Sequence, residues 1–391
     1  MKNTEKMFKE YVLPTYTRVG PVFVKGKGSF LWDEEANKYL DLFPGWGVSI
    51  LGHCHPRIVK AISRQAAKLI HLPNNLYFKE QAALAKEIVN SSFASKVFFA
   101  NSGAEAVEAA LKFSRVYGRK GRRHEIIVMK NSFHGRTFGA LSATAQPKYK
   151  APFKPLLSSF KQAQFNDFSD FKKKVTPKTV GVILELIQGE GGVNVAKLDY
   201  VKKVREHCRE NDLLFILDEV QTGMARTGEL FCYQNYGVSP DIMVLSKGLG
   251  AGVPISAILV KKQIADIIEP GMHASTFGGS PFVSRVSLEV FKIIKEEKIL
   301  SNVRKLSFYL FGRLRQFKKK FKVIKEIRGM GFMAGIELKV KSAPVFEEAL
   351  KRRLIINSTH GNVLRIMPAL NIKKQELEQG LNILEGIFEG I

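Results

Sequence analysis

From about residue 56 onward, short apolar segments alternate regularly with amphipathic helical segments, and this alternation constrains the fold more than any other feature. Six segments have the pattern of buried strands: 96–100, 125–130, 180–187, 213–217, 241–245 and 256–260. The spacing of apolar residues predicts helices over 56–70, 103–118 and 199–210. Apolar strands separated by helices are typical of a mostly parallel sheet that helices cover on both faces. The sequence therefore predicts an α/β protein.

The chain of 391 residues is too long for one small core and suits one large domain with a smaller one. Residues 24–42 have the pattern of two short strands around a turn, and the C-terminal part combines long helices with a strand pair at 325–338. We predict an N-terminal segment, 1–45, that joins the small domain, a large domain, 46–275, and a C-terminal small domain, 276–391.

The composition narrows the class of protein. The hydrophobic share of 45% is ordinary for a soluble globular protein, and no apolar run approaches the roughly 20 residues that cross a bilayer. The N-terminal sequence MKNTEKMFKEYVLPTY lacks the apolar core of a secretory signal. The cysteines Cys54, Cys208 and Cys232 are too few and too scattered for a disulfide framework. We therefore expect a cytoplasmic protein with no membrane partner.

The charge is strongly positive, because 61 Lys and Arg outnumber 36 Asp and Glu to give +25. Such an excess attracts nucleic acid and anionic small molecules. The basic runs at 119–123, 171–175 and 317–322 lie in no zinc-finger, basic-zipper or RNA-recognition pattern. We expect anionic small-molecule substrates and no specific nucleic acid. A non-enzymatic or nucleic-acid-binding protein is an alternative that the charge alone favours.

The residues that follow the predicted strands indicate where a site lies, because ligands of open α/β sheets bind beyond the carboxyl ends of the strands. Five of these strands are followed by small, charged or glycine residues: NSGA at 101–104, NSFHGRT at 131–137, QGEGG at 188–192, DEVQTG at 218–223 and SKGLGAG at 246–252. This concentration at one edge of the sheet is far from random and predicts a binding site there.

Three chemical features of these segments complement one another. A lysine at a sheet edge, Lys247, can have its pKa lowered by burial and can form a Schiff base with an aldehyde. Asp218 can pair with a protonated ring nitrogen and keep it cationic, as an electron-sink cofactor requires. The start of the helix at Ser102, Gly103 and Ala104 offers backbone N–H groups and a helix dipole to a phosphate.

Three further residues suit a flat ring. Gln221 supplies an amide donor for a ring oxygen, Val220 supplies an apolar methyl group, and Phe133 offers an aromatic face. Taken singly, each feature has an ordinary explanation: core packing for Phe133, a helix cap for Asp218 and a surface strand end for Lys247. Together they describe a pocket for pyridoxal phosphate, because no other cofactor uses a phosphate cradle, a stacking ring, an aspartate and a lysine at once.

The chain also resembles a known family, the class III pyridoxal-phosphate aminotransferases of fold type I. The resemblance covers nearly the whole chain through segments such as LWDEEANKYLD, ANSGAEAVEAALK, FHGRTFGALSATAQPKY, IQGEGGV, DEVQTGMARTG, YGVSPDIMVLSKGLGAGVPISA and STFGGSP, and residues 215–250 are its most specific part. It implies a large domain with a mostly parallel seven-stranded sheet covered by helices, a smaller α+β domain, and a homodimer.

The resemblance implies roles for individual residues. Lys247 would form the Schiff base and would act with Asp218 as the catalytic pair. The residues implied to bind the cofactor are Ser102, Gly103, Ala104, Phe133, Asp218, Glu219, Val220, Gln221, Lys247 and Thr276. Thr276 would reach the cofactor of the neighbouring subunit, which would make the homodimer part of the active site.

The amino donors and 2-oxo acids of this family carry carboxylates, which arginine binds through paired hydrogen bonds. By resemblance, Arg136, with Ser275 beside it, would hold the carboxylate of the acylated substrate, and Arg365 would hold the α-carboxylate of glutamate. Glu190 would pair with Arg365 when the substrate has no carboxylate there. The alternative for Glu190 and Arg365 is a purely structural salt bridge.

Within the family, the likeness is greatest to the acetylornithine aminotransferases. It implies ping-pong transfer of an amino group between N2-acetyl-L-ornithine and 2-oxoglutarate, a reaction of arginine biosynthesis. The alternative is another ω-amine aminotransferase, acting on ornithine, succinyl-diaminopimelate or 4-aminobutyrate. Three residues depart from the family pattern: Trp46, expected to reshape the acyl-group pocket, Leu186 in place of a proline, and Ser246 in place of an alanine.

The stretch GHCHP at 52–56 contains three potential metal ligands, His53, Cys54 and His55. Adjacent residues of a loop rarely converge on one tetrahedral ion, and no second ligand pair follows at zinc-finger spacing. We therefore predict no metal site, and we expect Pro56 to begin a helix.

Overall fold

The computed structural model describes residues 3–391, so the first two residues of the predicted segment 1–45 lie outside the described residues. In this part of the chain the strands are β1 Phe23–Lys27, β2 Phe30–Asp33, β3 Lys38–Asp41, β4 Lys96–Ala100, β5 Glu125–Met129, β6 Phe160–Ala163, β7 Thr179–Leu184, β8 Ile187–Gln188, β9 Asn194–Val195, β10 Leu214–Asp218, β11 Ile242–Leu245, β12 Ser256–Val260, β13 Ile324–Met330, β14 Met333–Leu338, β15 Leu354–Ile355, β16 Asn357–Thr359 and β17 Val363–Ile366. The helices are α1 Asn3–Tyr11, α2 Pro56–Ala66, α3 Lys79–Asn90, α4 Gly103–Gly118, α5 Phe138–Ala143, α6 Pro147–Lys150, α7 Phe168–Lys174, α8 Leu198–Glu210, α9 Lys262–Ala265, α10 Pro281–Glu296, α11 Ile299–Lys320, α12 Ala343–Lys351 and α13 Lys374–Phe388.

A seven-stranded sheet in the order β4-β12-β11-β10-β7-β5-β6 forms the centre of the molecule. Strand β10 pairs in parallel with β11 and β7, and β5 pairs in parallel with β7 and β6. Strand β12 runs antiparallel to both β11 and β4, so the other six strands share one direction. The predicted α/β fold with a mostly parallel sheet is therefore confirmed, and the five strand ends of interest lie at one edge.

Alternate residues of the central strands face two separate apolar clusters. Ile216, Val244 and Ile258 pack with residues of α4 on one face of the sheet. Leu217 and Leu245 join the larger cluster on the other face. Because these strands are buried on both faces, their sequences are continuous apolar runs rather than alternating patterns. This is why the sequence indicates the central strands so clearly.

Two features of the sheet differ from the sequence prediction. The predicted strand 180–187 ends at Leu184, and the chain then enters the separate short strand β8. Strand β6 has no apolar run because Lys161 and Gln162 are exposed at the sheet edge, so its sequence gives little strand signal. The first difference matters for the site, since it places Glu185 just beyond a strand end.

Strands from the N-terminal and C-terminal parts of the chain form smaller sheets beside the central one. Strand β15 pairs in parallel with β3, which joins the C-terminal part to the sheet β1-β2-β3-β15. A second antiparallel sheet, β13-β14-β17-β16, packs against α11. This mixture has the predicted α+β character. Helix α10 packs mainly on α2 and α3, so it lies with the helices of the large part, and the domain boundary at residue 276 stays a prediction.

The GHCHP stretch leads into a helix, because Pro56 is the first residue of α2 as expected. Nε2 of His53 lies 2.9 Å from Oδ2 of Asp41, and Nε2 of His55 lies 3.4 Å from Oε2 of Glu297. The two histidines therefore contact two different carboxylates, Asp41 in β3 and Glu297 just after α10.

Candidate active site

A cavity of about 260 Å³ opens at the carboxyl edge of the central sheet. Its wall is formed by the segments that follow β4, β5, β7, β10 and β11. The lining residues are Gly103, Ala104, Phe133, His134, Gly135, Arg136, Glu185, Ile187, Glu190, Asp218, Val220, Gln221, Thr222, Ser246 and Lys247. All five strand ends singled out from the sequence thus contribute to one cavity, and Lys247 and Asp218 share it.

Lys247 follows β11 and begins a single helical turn at the cavity wall. Its φ is 41°, in the left-handed region, which costs a residue with a Cβ roughly 1–3 kcal/mol. Burial lowers the pKa of Lys247 to about 8, against the opposing charge of Glu190, and Arg365 lowers it further. A strained backbone and an amine that loses its proton readily are typical of a lysine that reacts with a carbonyl.

The strand register explains why two carboxyl groups lie side by side in the cavity. Leu217 of β10 pairs with Leu184 of β7. The next residue on each strand is acidic, Asp218 on β10 and Glu185 after β7, and both are buried. Side chains at matching positions of parallel neighbours point to the same face of a sheet. The sequence therefore brings both carboxyl groups to the same end of the cavity.

Each carboxylate oxygen of Asp218 has a partner. Oδ1 accepts a hydrogen bond from the N–H of Val220 at 3.1 Å, and Oδ2 lies 2.8 Å from Nδ1 of the fully buried His134. Burial alone would lower the pKa of His134, but the hydrogen bond to Asp218 and the charge of Glu185 raise it overall. These contacts hold the Asp218 carboxyl group in place at the cavity wall.

Glu185 is a site residue that the sequence analysis missed. Its Oε2 accepts a hydrogen bond from the N–H of Phe133 at 2.9 Å. Burial raises the pKa of Glu185 to about 8, and the charge of Asp218 contributes in the same direction. The carboxyl group is therefore mostly neutral near pH 7. The available signal was a glutamate within an apolar segment predicted as one continuous strand.

The start of α4 is built as an anion cradle. Oγ of Ser102 accepts a hydrogen bond from the N–H of Glu105 at 3.3 Å, and Oε2 of Glu105 accepts one from the N–H of Ser102 at 2.9 Å. The N–H groups of Gly103 and Ala104 belong to the first turn, where no carbonyl within the helix can accept them. A Cβ on Gly103 would lie 2.9 Å from Cγ1 of Val220, so this close approach requires glycine.

Phe133, Val220 and Gln221 line the cavity as the sequence predicts. Nε2 of Gln221 donates a hydrogen bond to the carbonyl of Trp46 at 3.2 Å. Trp46 is half exposed and has a φ of 56°, so a strained aromatic residue contacts Gln221 at the cavity wall. Its expected effect on the acyl-group pocket stays a prediction.

Glu219 does not line the cavity, although the sequence analysis assigned it to the cofactor. Its buried carboxylate accepts hydrogen bonds from the N–H groups of Cys232 at 2.6 Å and Tyr233 at 2.7 Å. Asp218 and Glu219 are adjacent at the end of an extended strand, and their side chains point in opposite directions. Glu219 thus fixes the backbone at residues 232–233.

Ser102, Ser275 and Thr276 also lie outside the cavity wall of the single chain. Ser102 uses its hydroxyl to cap α4, and Oγ of Ser275 accepts hydrogen bonds from Nδ2 of Asn101 at 3.3 Å and from the N–H of Gly278 at 3.1 Å. Thr276 is exposed in the same loop. Its predicted contact with a neighbouring subunit stays a prediction.

The two predicted carboxylate-binding arginines are held differently. Arg136 is exposed at the cavity wall, and its guanidinium carbon lies 4.0 Å from the ring centroid of Tyr149. Arg365 is only 1% exposed, and its Nη1 lies 2.8 Å from Oε1 of Glu190. Nη1 makes no hydrogen bond with suitable angles, so this pair is a close ion contact of imperfect geometry. Nε of Arg365 donates to Oδ1 of Asn357 at 2.7 Å.

These residues fit pyridoxal phosphate. The free N–H groups at the start of α4 suit its phosphate, and the buried carboxylate of Asp218 suits a protonated ring nitrogen. Phe133 and Val220 offer apolar contacts to its ring, and the amine of Lys247 faces the same cavity. The cavity therefore combines the groups that this cofactor requires.

Comparisons with known proteins agree with this chemistry. Residues 13–388 match the family described as aminotransferase class-III. The acetylornithine aminotransferase of Caldanaerobacter subterraneus subsp. tengcongensis is 48% identical, over 98% of this chain and 98% of that protein. The acetylornithine aminotransferase of Clostridium acetobutylicum is 45% identical, over 97% of this chain and 99% of its own length.

Solved structures show the same fold. The ornithine aminotransferase of Toxoplasma gondii superimposes with a TM-score of 0.95 at 32% identity, covering 99% of this chain and 94% of that chain. The acetylornithine aminotransferase of Elizabethkingia anophelis gives 0.89 at 30% identity and covers both chains completely, at 100% each. The chain belongs to the class III aminotransferases, enzymes that depend on pyridoxal phosphate.

Proposed function

We propose that this aminotransferase acts on N2-acetyl-L-ornithine and 2-oxoglutarate, with N-acetylglutamate 5-semialdehyde and glutamate as the other substrate pair. The observation that carries the proposal is a cavity lined by Lys247, Arg136 and Glu190, in which Glu190 also contacts the buried Arg365 just beyond the cavity wall. The names of the relatives at 43–48% identity support the same substrate.

The cofactor and Lys247 divide the chemistry between them. When bound, pyridoxal phosphate supplies an aldehyde that accepts an amine and a ring that withdraws electrons from the adjoining carbon. Because the pKa of Lys247 is lowered to about 8, part of its amine is unprotonated near neutral pH. Its Nζ can then take the proton from the carbon next to the substrate nitrogen and later return it.

The remaining polar residues orient the reactants. Asp218 is held by His134 and Val220 and would pair with a protonated ring nitrogen of the cofactor. Arg136 is open to a substrate carboxylate. Glu190 neutralises Arg365 while an ω-amine occupies the site, and it swings away when the α-carboxylate of glutamate takes its place. One site can thus serve two different amino donors, which implies ping-pong kinetics.

Steady-state kinetics with a panel of donors test the substrate. We expect kcat/KM for N2-acetyl-L-ornithine to exceed that for free ornithine and 4-aminobutyrate, with 2-oxoglutarate as acceptor and parallel lines in double-reciprocal plots. Arg136→Lys keeps the charge but removes the paired hydrogen bonds, so it should raise KM for acetylornithine about 10-fold or more. A preference for free ornithine would refute the proposed substrate.

The second candidate is another ω-amine substrate of the same family. A relative from Buchnera aphidicola named acetylornithine/succinyldiaminopimelate aminotransferase is 41% identical over 97% of this chain. The match to ornithine aminotransferase structures favours ornithine in the same way. Including succinyl-diaminopimelate and ornithine in the donor panel decides between these substrates.

We also propose a homodimer in the cytoplasm, with Thr276 completing the neighbouring active site. Two exposed apolar side chains support a contact surface: Phe277, next to Thr276, and Tyr77, in the segment whose Asn74 donates a hydrogen bond to the carbonyl of Ser275. The three cysteines are unpaired, which suits a reducing compartment. Within residues 3–391, no helix has the length and apolar character that a bilayer crossing needs. Sedimentation or mass photometry of the purified protein tests the dimer.

A further inference from the structure

The side chain of Arg136 is held at the cavity wall by aromatic contacts. It is exposed, and among residues 3–391 its guanidinium group has no hydrogen bond and no ion pair. Its Cζ lies 4.0 Å from the ring centroid of Tyr149 and 5.6 Å from that of Phe133. A long side chain without a partner samples several rotamers, and fixing one of them costs free energy when a ligand binds. The ring of Tyr149 is therefore placed to reduce this cost.

The main chain on both sides of Arg136 is fixed. A Cβ on the preceding residue, Gly135, would lie 2.8 Å from Cβ of Ala104, so two segments of backbone are in close contact there. Oγ1 of the following residue, Thr137, donates a hydrogen bond to Oε1 of Glu108 at 2.5 Å. The freedom of Arg136 is thus confined to its side-chain torsions, which the aromatic contacts restrict.

Tyr149 belongs to the short helix α6, which is anchored at both ends. At its start, Nε2 of the buried Gln146 donates a hydrogen bond to the carbonyl of Asn131 at 3.1 Å. At its end, Nζ of Lys150 donates to the carbonyl of Ser142 at 2.8 Å. These bonds join the helix to the segments before and after Arg136 in the chain. The position of the tyrosine ring is therefore set before any substrate binds.

The ring of Tyr149 is half-buried between other groups. It meets the ring of Phe133 edge to face, with centroids 5.7 Å apart and planes at 79°. Nζ of the exposed Lys148 lies 4.7 Å from the same ring. The face of an aromatic ring attracts a cation, and a guanidinium held in this way keeps its N–H donors for another partner. Arg136 thus remains able to bind a carboxylate through paired hydrogen bonds.

We propose that Tyr149 is a positioning residue, which holds the guanidinium of Arg136 over its ring in the orientation that pairs with the substrate carboxylate. The proposal deepens the proposed function and rests on Arg136 as the carboxylate-binding residue. An arginine that is already oriented loses less freedom on binding, so the carboxylate is bound more tightly. Because Tyr149 acts through Arg136, its effect should be confined to ligands that carry this carboxylate.

Two substitutions at one position separate the aromatic face from the hydroxyl group. Tyr149→Phe keeps the ring and removes the hydroxyl, whereas Tyr149→Leu removes the ring. The matched control is Tyr309→Leu, because Tyr309 is also half-buried, with Nζ of Lys374 at 5.2 Å from its ring, and lies in α11 outside the cavity wall. Circular dichroism, thermal unfolding and cofactor absorbance establish that each holoprotein is folded and loaded.

Two analogues of the substrate isolate the carboxylate. N2-acetyl-L-norvaline is N2-acetyl-L-ornithine without its reacting amine, so its Kd, measured by calorimetry, reports binding without chemistry. N-acetylputrescine is the same donor without its carboxylate. We expect Tyr149→Leu to raise the Kd of N2-acetyl-L-norvaline about 3- to 10-fold, the effect of losing a cation–π contact at a half-buried ring. The kcat/KM for N2-acetyl-L-ornithine should fall by the same factor, through KM, while kcat/KM for N-acetylputrescine stays within about twofold.

Tyr149→Phe and Tyr309→Leu should both stay within about twofold of wild type for every ligand. In an Arg136→Ala background, Tyr149→Leu should change kcat/KM for N2-acetyl-L-ornithine by less than about twofold, because the guanidinium is already absent.

An unchanged Kd in Tyr149→Leu would overturn the proposal, and so would a loss of the same size in Tyr149→Phe or in the Arg136→Ala background. An equal fall in kcat/KM for N-acetylputrescine would overturn it as well, because the effect would then pass through Phe133 and the cofactor pocket. If the wild-type protein does not prefer N2-acetyl-L-ornithine to N-acetylputrescine, the proposed function fails rather than this inference.

Discussion

At the scale of single residues, the cavity contains backbone strain and buried ionisable groups, which lower the stability of a protein. Lys247 has a positive φ and a buried amine, and Glu185 is a buried acid beside Asp218. Strain and buried charge of this kind lower stability and are retained where chemistry needs them. The active site should therefore be a place where removing a functional group makes the apoprotein more stable.

Lys247→Met tests this trade-off. The pKa of Lys247 in the folded protein is about 8, below its ordinary 10.5, so protonation at pH 7 opposes folding. The penalty is fully present below pH 8 and disappears as the pH rises from 8 to 10.5. We expect Lys247→Met to stabilise the apoprotein by about 1–3 kcal/mol at pH 7, and by less at pH 9.5.

Urea unfolding at the two pH values measures this difference. Lys203→Met is the control, because Lys203 is exposed and pairs with the exposed Asp199, so we expect a change within about 0.5 kcal/mol. If Lys247→Met destabilises the apoprotein at pH 7, the burial of the protonated Lys247 amine does not oppose folding as we expect. The same variant should lose all measurable transamination.

The effect of Glu185→Gln on the free energy of unfolding has the opposite pH dependence to that of Lys247→Met. The pKa of Glu185 is raised from 4.5 to about 8, so the folded state retains a proton that the unfolded chain has lost, and wild-type stability falls as the pH rises from 4.5 to 8. Glutamine is neutral throughout. We therefore expect near-equal stability at pH 5 and a variant more stable by about 1–3 kcal/mol at pH 8.

Thermal unfolding of the apoproteins at both pH values checks the Glu185→Gln result. Glu206→Gln provides the comparison, because Glu206 is an exposed partner of Arg209 and should change stability by less than about 0.5 kcal/mol. A Glu185→Gln protein that is less stable than wild type at pH 8 would contradict a carboxyl group whose pKa is raised by burial.

At the scale of elements, the sequence predicts most of the site because buried parallel strands have clear boundaries. Strand β4 and helix α4 have the predicted ends, and the segments after five strands line one cavity. The prediction was weaker where a strand carries polar residues, as in β6, or where it stops inside an apolar run, as after Leu184. Glu185 was missed for the second reason.

Tertiary contacts account for the other differences in the site. Glu219 is assigned to the cofactor by its place in DEVQTG, but its carboxylate caps the N–H groups of Cys232 and Tyr233. The contact of His134 depends on Asp218 of β10, which lies two strands away from β5 in the sheet, so no pattern within NSFHGRT could indicate it. A single sequence does not contain such contacts between elements that are distant along the chain.

Ser102, which caps α4, stabilises the helix start that we propose to bind the phosphate. Ser102→Ala removes the hydroxyl that accepts from Glu105, which should cost about 1 kcal/mol of stability. Because the N–H groups at this helix start are the proposed phosphate cradle, we also expect the Kd of pyridoxal phosphate to rise about 2- to 5-fold.

Asp167→Ala is the matched control for this cap. Asp167 caps α7 through the N–H of Asp170 at 2.9 Å, and it lies outside the cavity. It should lower stability by a similar amount and leave the Kd unchanged, as measured by thermal unfolding and by cofactor titration. If both variants change the Kd equally, the start of α4 does not bind the phosphate.

At the scale of the whole molecule, the cavity lies between parts that are distant in sequence. Strand β17 brings Arg365 from the C-terminal part to Glu190 of the large part, and β15 joins the C-terminal part to β3 near the N-terminus. The loop with Ser275 and Thr276 contributes nothing to the cavity wall of its own chain. This arrangement suits a site that a second subunit completes.

Hybrid dimers test the proposed contribution of Thr276. Thr276→Glu should inactivate the enzyme by placing a negative charge at the phosphate of the neighbouring subunit, and Lys247→Ala inactivates its own subunit. After subunit exchange between the two inactive proteins, half of the dimers are mixed and each holds one intact site. We therefore expect recovery of about a quarter of wild-type activity.

The control for this exchange is each inactive protein treated alone, which should remain inactive. Native mass spectrometry of differently tagged subunits establishes that mixed dimers form. If mixed dimers are present and no activity returns, Thr276 does not act across a subunit interface.

The most direct test of the whole account is to find the lysine that binds the cofactor. Holoprotein is reduced with borohydride, digested, and its peptides are mapped by mass spectrometry. We expect the added mass of reduced pyridoxal phosphate on Lys247 alone, and no retained adduct in Lys247→Met. An adduct on a different lysine, or its persistence in Lys247→Met, would contradict the assignment of this cavity as the active site.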